Sequence, residues 1–544
     1  MHKGRFTRRE FLQTSALVGG AAARFRPAAN PLNLVPSEPG KTPSYWCTWG
    51  IQNYSMTDVD ENSHSMVANN LTERHVFDDP GWATHYFDKI RGDLYIVFDL
   101  GWEVPAGLQF DRERWRLGTQ ELAVDKFPSS TGLPFERLRK LNDMTRQAGW
   151  RGAGIWIPAQ APGDGQDGQM MPQDRLEAYF RERLGWSREA GIGYWKVDYG
   201  ARAGNAAFRR MVSRLAHETP PGIIVEHARN VGPVNDEESW EKLVAHHTGR
   251  YRAWDDGKIL AEAAEFINFS DVLRTYDVTA YLSIPTTLDR VAQLIVEASK
   301  NPSAAGLINC EDEPYVAAAL GCATGILRHP LWQDIPSKSY DPYQVRRRID
   351  ETVRAVRWQR IAPPVSVNAS QMKLDQKILL DHWMFRPGQT WAAWLIGKPV
   401  VQGAPARIAR GMDLPEVSLS GEPPFVLASR HPNGAVAVAT LPRIQTGKGI
   451  YLPLAEISLD IGDAARPVGI FGRYGTLKLK LSRELGQRRV WAQDMAGDKA
   501  TDVTAEVPKQ GASIILNGDL INRVGLAASS PNDVSNPGLV LKIA

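Results

Sequence analysis

The chain has 544 residues, 43% of them hydrophobic and 23% charged, which is long enough for more than one hydrophobic core. Its formal net charge is +3, and Lys3, Arg5, Arg8 and Arg9 against Glu10 account for that excess, so the rest of the chain is near neutral. A near-neutral body without a Lys/Arg run excludes nucleic acid, polyphosphate or an anionic membrane as the principal partner, because each needs a basic face.

At the N-terminus, Thr7-Arg8-Arg9-Glu10-Phe11-Leu12 precedes a weakly apolar run from Ala16 to Ala23. Paired arginines before such a run form a twin-arginine export signal, with cleavage expected near Ala23 and residues 1–30 serving as signal and short linker. A periplasmic or secreted protein follows. No later stretch approaches the roughly 18 to 20 apolar residues that cross a bilayer, so no membrane span is expected. The three cysteines, Cys47, Cys310 and Cys322, allow at most one disulfide. There is no CxxC, no HxH and no glycine-rich dinucleotide fingerprint, and the adjacent His246-His247 reads as solvated loop. Neither a cofactor nor a metal is therefore expected. Seventeen tryptophans are many, and indole faces are platforms for sugar rings as well as ordinary core material.

Over residues 40–362, β-rich runs alternate with helical ones. Expected strands are Tyr45 to Trp49, Leu94 to Asp99, Gly154 to Pro158, Tyr194 to Asp198, Ile223 to Glu226, Phe266 to Arg274, Gly306 to Cys310 and Gly325 to Leu327. Leu138, Leu141 and Met144 mark one amphipathic helix between them, Leu176, Phe180 and Leu184 a second, and Leu288, Val291, Leu294 and Ile295 a third. Eight β units with helical crossovers predict an α/β fold, a (β/α)8 TIM barrel. Pro363-Pro364 closes the last helix, and residues 370–544 change texture. Valine, isoleucine and leucine now alternate with polar residues between turns at 432–434, 446–449 and 517–518, which predicts a C-terminal antiparallel β-sandwich.

Several of the expected barrel strands end in polar residues. Lys196 and Asp198 lie at i and i+2 on one strand face, just before Tyr199-Gly200. Asp99 and Trp102 follow strand two and Trp156 ends strand three; Glu226 ends strand five, Asp271 and Arg274 fall on strand six, and Asp312 follows strand seven. Charges among apolar neighbours are costly unless paired, so this ring predicts a polar site at the barrel mouth. Paired carboxylates beside tryptophans, without metal-ligand spacing, are the equipment of glycoside hydrolysis.

These residues also carry a family resemblance, spread in order over residues 45–330. Lys196-Val197-Asp198 after Tyr194-Trp195 resembles the K-x-D nucleophile strand of the α-galactosidase-like retaining glycosidases, the clan of α-galactosidases, α-N-acetylgalactosaminidases and raffinose-synthase relatives. Asp99-Leu100-Gly101-Trp102 is similar to its D-D-G-W strand, Gly149 to Trp156 to its third strand, and Lys126-Phe127-Pro128 to the segment before that. Arg274-Thr275-Tyr276-Asp277 resembles its acid/base motif, and Trp46 and Trp49 the tryptophans of its first strand. The resemblance implies a barrel followed by a β-sandwich, an oligo- or polysaccharide or other glycoside as substrate, Asp198 as nucleophile and Asp277 as acid/base, with Asp271 the rival for that second role. It implies that Trp49, Asp99, Trp102, Trp156, Lys196, Glu226, Arg274, Asp271 and Asp312 bind substrate. One departure is plain. Where the family has a second aspartate that reads sugar hydroxyls, this chain has Leu100, which predicts a glycone altered at C4 or C6, such as β-L-arabinopyranose, in preference to α-galactose. A transglycosylase of the raffinose-synthase type and a catalytically silent carbohydrate-binding protein are the alternatives.

Overall fold

The computed structural model describes residues 32–54, 64–228, 257–274, 284–327, 348–384, 397, 399–418, 421–462 and 466–544. The twin-arginine segment, His246-His247 and the 275–277 part of the acid/base motif lie outside them.

Eight short parallel strands form the first sheet: β1 (Ser44–Cys47), β2 (Leu94–Phe98), β3 (Gly152–Ile157), β4 (Tyr194–Val197), β5 (Ile224–His227), β6 (Val272–Arg274), β7 (Leu307–Asn309) and β8 (Gly325–Ile326). Their order, β7-β6-β5-β4-β3-β2-β1-β8, follows the chain, and an Asn309–Ala323 bridge beside β8 joins the two ends into a (β/α)8 barrel. All eight fall where periodicity places them, but β6 is shorter at its start. Phe266 and Ile267 belong to helix Gly257–Ile267, because a short apolar run reads equally as strand or helix until its neighbours decide.

The crossover helices follow their apolar spacing. Pro134–Gln147 (α1) starts with proline in its first turn, Glu136 takes the Leu133 N–H at 2.8 Å, and Leu138 and Leu141 are buried against the sheet. Gln173–Ala190 (α2) buries Leu176, Phe180 and Leu184 and stops at Gly191, whose left-handed φ of 75° returns its N–H to Arg188 and Ser187. Period-two alternation divides each strand. Trp46 points outward and stacks on Trp150 at 5.4 Å, whereas Tyr45, Cys47, Val97, Tyr194 and Leu327 pack together as one cluster inside the barrel. Gly325 is required there: a Cβ would lie 2.6 Å from Asn309 Nδ2 and 2.9 Å from the Tyr45 hydroxyl.

After Ile349–Trp358 (α3), the chain builds an eight-stranded, a five-stranded and a four-stranded sheet. The eight- and five-stranded sheets form a sandwich over Val426, Val438, Ile470, Leu477, Leu479 and Ile514. The pairing is mixed. Antiparallel ladders dominate, yet Arg407–Arg410 pairs parallel with Phe425–Arg430, and Val436–Leu441 with Val468–Phe471. The turns at 432–434 and 446–449 join antiparallel hairpins as expected. Asn517-Gly518 makes no turn; Asn517 caps helix Gly518–Gly525 through the Leu520 N–H at 2.7 Å, the other standard use of an asparagine. The alternate residues Phe425, Leu427, Ala437, Ala439 and Val540 join a second core with Tyr315, Leu320 and Trp358 from the barrel helices. Both faces of this sheet are thus buried, which is why Val436–Leu441 is apolar almost throughout.

Arg354 locks the two parts together. Its guanidinium forks onto Asp494 at 2.9 and 3.0 Å, both groups being buried. Arg354→Ala strands a buried carboxylate, and the expected loss is about 3–5 kcal/mol in denaturant unfolding; a loss below about 1 kcal/mol would show that water already reaches Asp494.

Candidate active site

The C-terminal rim gathers the polar ends of neighbouring strands. Asp198 directly follows β4, and its backbone is held from behind: Arg209, wholly buried, donates to Val197 O at 2.9 Å and to Asp198 O at 2.7 Å. The turn then passes through Gly200, φ 150°, where a Cβ would meet Ala159 O at 2.8 Å. The Asp198 carboxyl accepts the Trp156 indole N–H at Oδ2, 2.9 Å, and lies 3.0 Å from Arg274 Nη2 at Oδ1, an ion pair off the hydrogen-bond direction. Burial alone would raise its pKa. The Arg274 and Lys196 charges and the Trp156 donor outweigh burial, and the carboxyl sits below the usual carboxylate range. A nearly buried, ionised carboxylate at a strand mouth is chemically able to act as a nucleophile or to stabilise a developing cation.

Lys196, one inward position deeper, is 2.8 Å from Asp99 Oδ2. Burial and Arg274 push its ammonium down, but Asp99, Cys47 and Asp198 more than restore it, and it stays charged. Cys47 completes the group by donating to the same Asp99 oxygen at 2.9 Å, its thiol pushed up by burial and by Asp99. Lys126 clamps the segment after β2, donating to Ala68 O at 3.1 Å and to Gly101 O. Burial brings its pKa down to about 8.

Arg274, at the end of β6, faces three carboxylates: Asp198 at 3.0 Å, Glu311 at 3.5 Å and Glu226 at 4.0 Å. Glu226 is wholly buried under the site, where Tyr194 donates to it at 2.9 Å, Asn309 at 2.7 Å and Tyr45 at 3.1 Å. It belongs to the floor of the site and is not on the rim. Burial raises its pKa, against the lowering effect of Arg274.

The expected ring is therefore assembled only in part. Asp99, Trp156, Lys196, Asp198 and Arg274 converge. Trp102 is fully buried and works as a strut, its indole N–H on Trp156 O at 2.8 Å. Trp49 is half-buried beside that cluster. Asp271 does not reach the rim: it precedes β6 at the opposite barrel end, where it accepts the Val225 N–H at 2.8 Å and pairs with His217 at 2.9 Å. It differs from its expected place on strand six because β6 begins only at Val272. Asp312, φ 55°, braces the loop after β7 by accepting the Leu327 N–H at 2.8 Å. Tyr45, Asn309 and Glu311 join the floor of the site as well, and strand parity accounts for them, since an inward Asn309 makes Glu311 inward and Asp312 outward. Leu100 packs with Ala68, Val104, Leu108, Leu117 and Trp156, beside the residue that holds Asp198.

No family model matches the sequence, and no curated protein does. Among solved structures, the chain is similar to a GH27 β-L-arabinopyranosidase from Geobacillus stearothermophilus in complex with arabinose, at 10% identity over 93% of this chain and 97% of that one, with a TM-score of 0.37. It is similar to the α-galactosidase from Saccharomyces cerevisiae solved with raffinose, at 9% identity over 92% and 98%, TM-score 0.39. A γ-CGTase from alkalophilic Bacillus clarkii follows at 10% identity over 89% and 80%, TM-score 0.30.

Proposed function

We propose that this protein is an exported retaining glycoside hydrolase acting on α-galactoside-like linkages, including those of β-L-arabinopyranose. The observation that carries this reading is the Asp198 carboxylate at the mouth of the barrel, held ionised by Arg274 at 3.0 Å and oriented by the Trp156 indole at 2.9 Å. Asp198 attacks the anomeric carbon and forms a glycosyl-enzyme; Asp277 protonates the departing oxygen and then activates water, so two inversions give net retention. Asp277 must hold its proton near neutral pH, the opposite demand from that on Asp198. The paired Lys196 and Asp99 present a fixed charge pattern to sugar hydroxyls next to the nucleophile. Leu100, in the apolar cluster behind Trp156, supports a glycone lacking or altering a hydroxyl on that side.

The test is a panel of p-nitrophenyl α-D-galactoside, α-N-acetylgalactosaminide, β-L-arabinopyranoside and α-L-fucoside. At least one is expected to release nitrophenol with the first-formed sugar of retained configuration by NMR, and the β-L-arabinopyranoside to exceed the α-D-galactoside in kcat/KM. Inverted product would remove the covalent mechanism, and a clear preference for α-D-galactoside would remove the role given to Leu100.

A further inference from the structure

The helix that follows β4, Ala206–His217, buries Phe208, Met211, Val212 and Leu215, and it buries Arg209 and Ser213 among them. A charge in such a place is costly unless its donors find acceptors nearby. Arg209 directs its guanidinium at the turn behind Asp198. Nε donates to Ala203 O at 2.8 Å, Nη1 to Val197 O at 2.9 Å and Nη2 to Asp198 O at 2.7 Å. Nη1 also meets a side chain of the next strand, His227, whose Nδ1 lies 3.3 Å away.

The pleat turns Glu226 into the barrel and leaves His227 on the outer face, in register with Val197 of β4. The ring is wholly buried there, with Phe269 against it in a T-shaped contact at 5.5 Å. Arginine can only donate, so Nδ1 at that distance from Nη1 is the bare acceptor nitrogen of the imidazole. The ring proton is therefore on Nε2, which the Ser213 hydroxyl meets at 2.8 Å. Burial and the Arg209 charge hold the imidazole well below its ordinary pKa, so it is neutral. The other tautomer would set an N–H of the ring against an N–H of Arg209 and push Nη1 off Val197 O.

We propose that His227 is a positioning residue for Asp198: with its proton on Nε2 toward Ser213 and Nδ1 accepting from Arg209, it orients the guanidinium that fixes the Val197 and Asp198 carbonyls. The Asp198 carboxyl is carried on that backbone, so a shift of the peptide moves it relative to the Trp156 indole at 2.9 Å and Arg274 at 3.0 Å. Misplacing a reacting group by a fraction of an ångström slows chemistry far more than it weakens binding. The effect on turnover rests on the glycosidase reading, whereas the effect on the Asp198 carbonyl does not.

Three substitutions in the full chain separate the acceptor from the volume of the ring. His227→Asn keeps an acceptor oxygen close to the Nδ1 position, His227→Gln keeps a polar group only near the Nε2 position, and His227→Phe keeps the packing without either. Asp198-Tyr199 is the only Asp-Tyr step in the sequence. Protein isotope-labelled at the aspartate carbonyl carbon and the tyrosine nitrogen therefore gives a single carbonyl–amide NMR correlation, which reads the hydrogen bond to Asp198 O. That signal should move in His227→Phe and His227→Gln and lie near the wild-type position in His227→Asn. On the best substrate of the panel, kcat should fall about tenfold or more in His227→Phe and His227→Gln with KM little changed, and His227→Asn should recover most of the loss. A role in packing alone would give the reverse order, with His227→Phe the mildest. That order, or an unmoved Asp198 signal in folded His227→Gln, overturns the proposal. Failure of the wild type to turn over any glycoside would count against the proposed function, and the carbonyl signal would still decide on the positioning.

Discussion

Asp198→Ala is expected to lower kcat on the best aryl glycoside by about 10⁴-fold or more while leaving a folded protein, the scale seen when the central group of a catalytic unit is removed. The substitution takes away a carboxylate that the fold goes to some length to keep ionised. Arg274 lies 3.0 Å away, Trp156 donates at 2.9 Å, and Arg209 fixes the backbone from behind. The variant should also relieve crowding of negative charge around Arg274, since Glu226 and Glu311 still answer that guanidinium. Stability is therefore expected to fall little, within about 1 kcal/mol, and this separates chemistry from folding. Retaining chemistry makes a further demand. In the space left by the carboxylate, azide should restore turnover and yield a glycosyl azide of inverted configuration, because one displacement has replaced two. Wild-type-like kcat in Asp198→Ala would end the assignment of the nucleophile. Low kcat without azide rescue, in folded protein, would point to a charge-stabilising role.

Arg274→Met is expected to damage both stability and pH behaviour. Among the described residues Arg274 lies against the buried carboxylates Asp198, Glu226 and Glu311, and removing it should cost about 3–5 kcal/mol at neutral pH in denaturant unfolding. The direction with pH follows from the individual groups. In the wild type, Asp198 titrates below its unfolded value, so its contribution is present above the unfolded pKa and is lost as pH falls through the folded one. Without the guanidinium, burial dominates and the Asp198 pKa rises above the unfolded value. The variant then gains stability relative to the wild type as pH drops and these carboxyls take up protons. The stability gap should therefore narrow from pH 7 towards pH 4, and the acidic limb of kcat/KM, which requires ionised Asp198, should move upward. A gap that is independent of pH would mean that Arg274 acts by packing and not by charge.

The contrast between Asp312 and Glu311 shows how much of the site was legible beforehand. Both follow β7, and residue type alone favours neither; the pleat sends Glu311 to Tyr45 and Arg274 and turns Asp312 into a loop brace. Asp271 is the opposite lesson. The apolar run through Phe266 and Ile267 suggests a strand that would carry it to the rim, and only the capture of those two residues by a helix moves the start of β6 to Val272 and Asp271 to the far end. Glu226 is legible as a strand-five residue, but the sequence has no measure of depth, and depth decides whether a carboxylate meets substrate or supports a neighbour that does.

What the sequence by itself determined is the barrel, its eight strands, the change to β-structure in the C-terminal part and the Lys196-Val197 strand with Asp198 at its end. Each is a local statement: side-chain periodicity and turn residues act over a few positions, and burying an apolar stripe leaves few arrangements open. The tertiary structure alone decided which charges meet. Asp99 takes Lys196, and Arg274 is shared among Asp198, Glu226 and Glu311, because partners from β2, β4, β5, β6 and β7 are brought together by barrel closure. Pairing energies depend on distance and burial in three dimensions, which neighbouring residues in the chain do not encode.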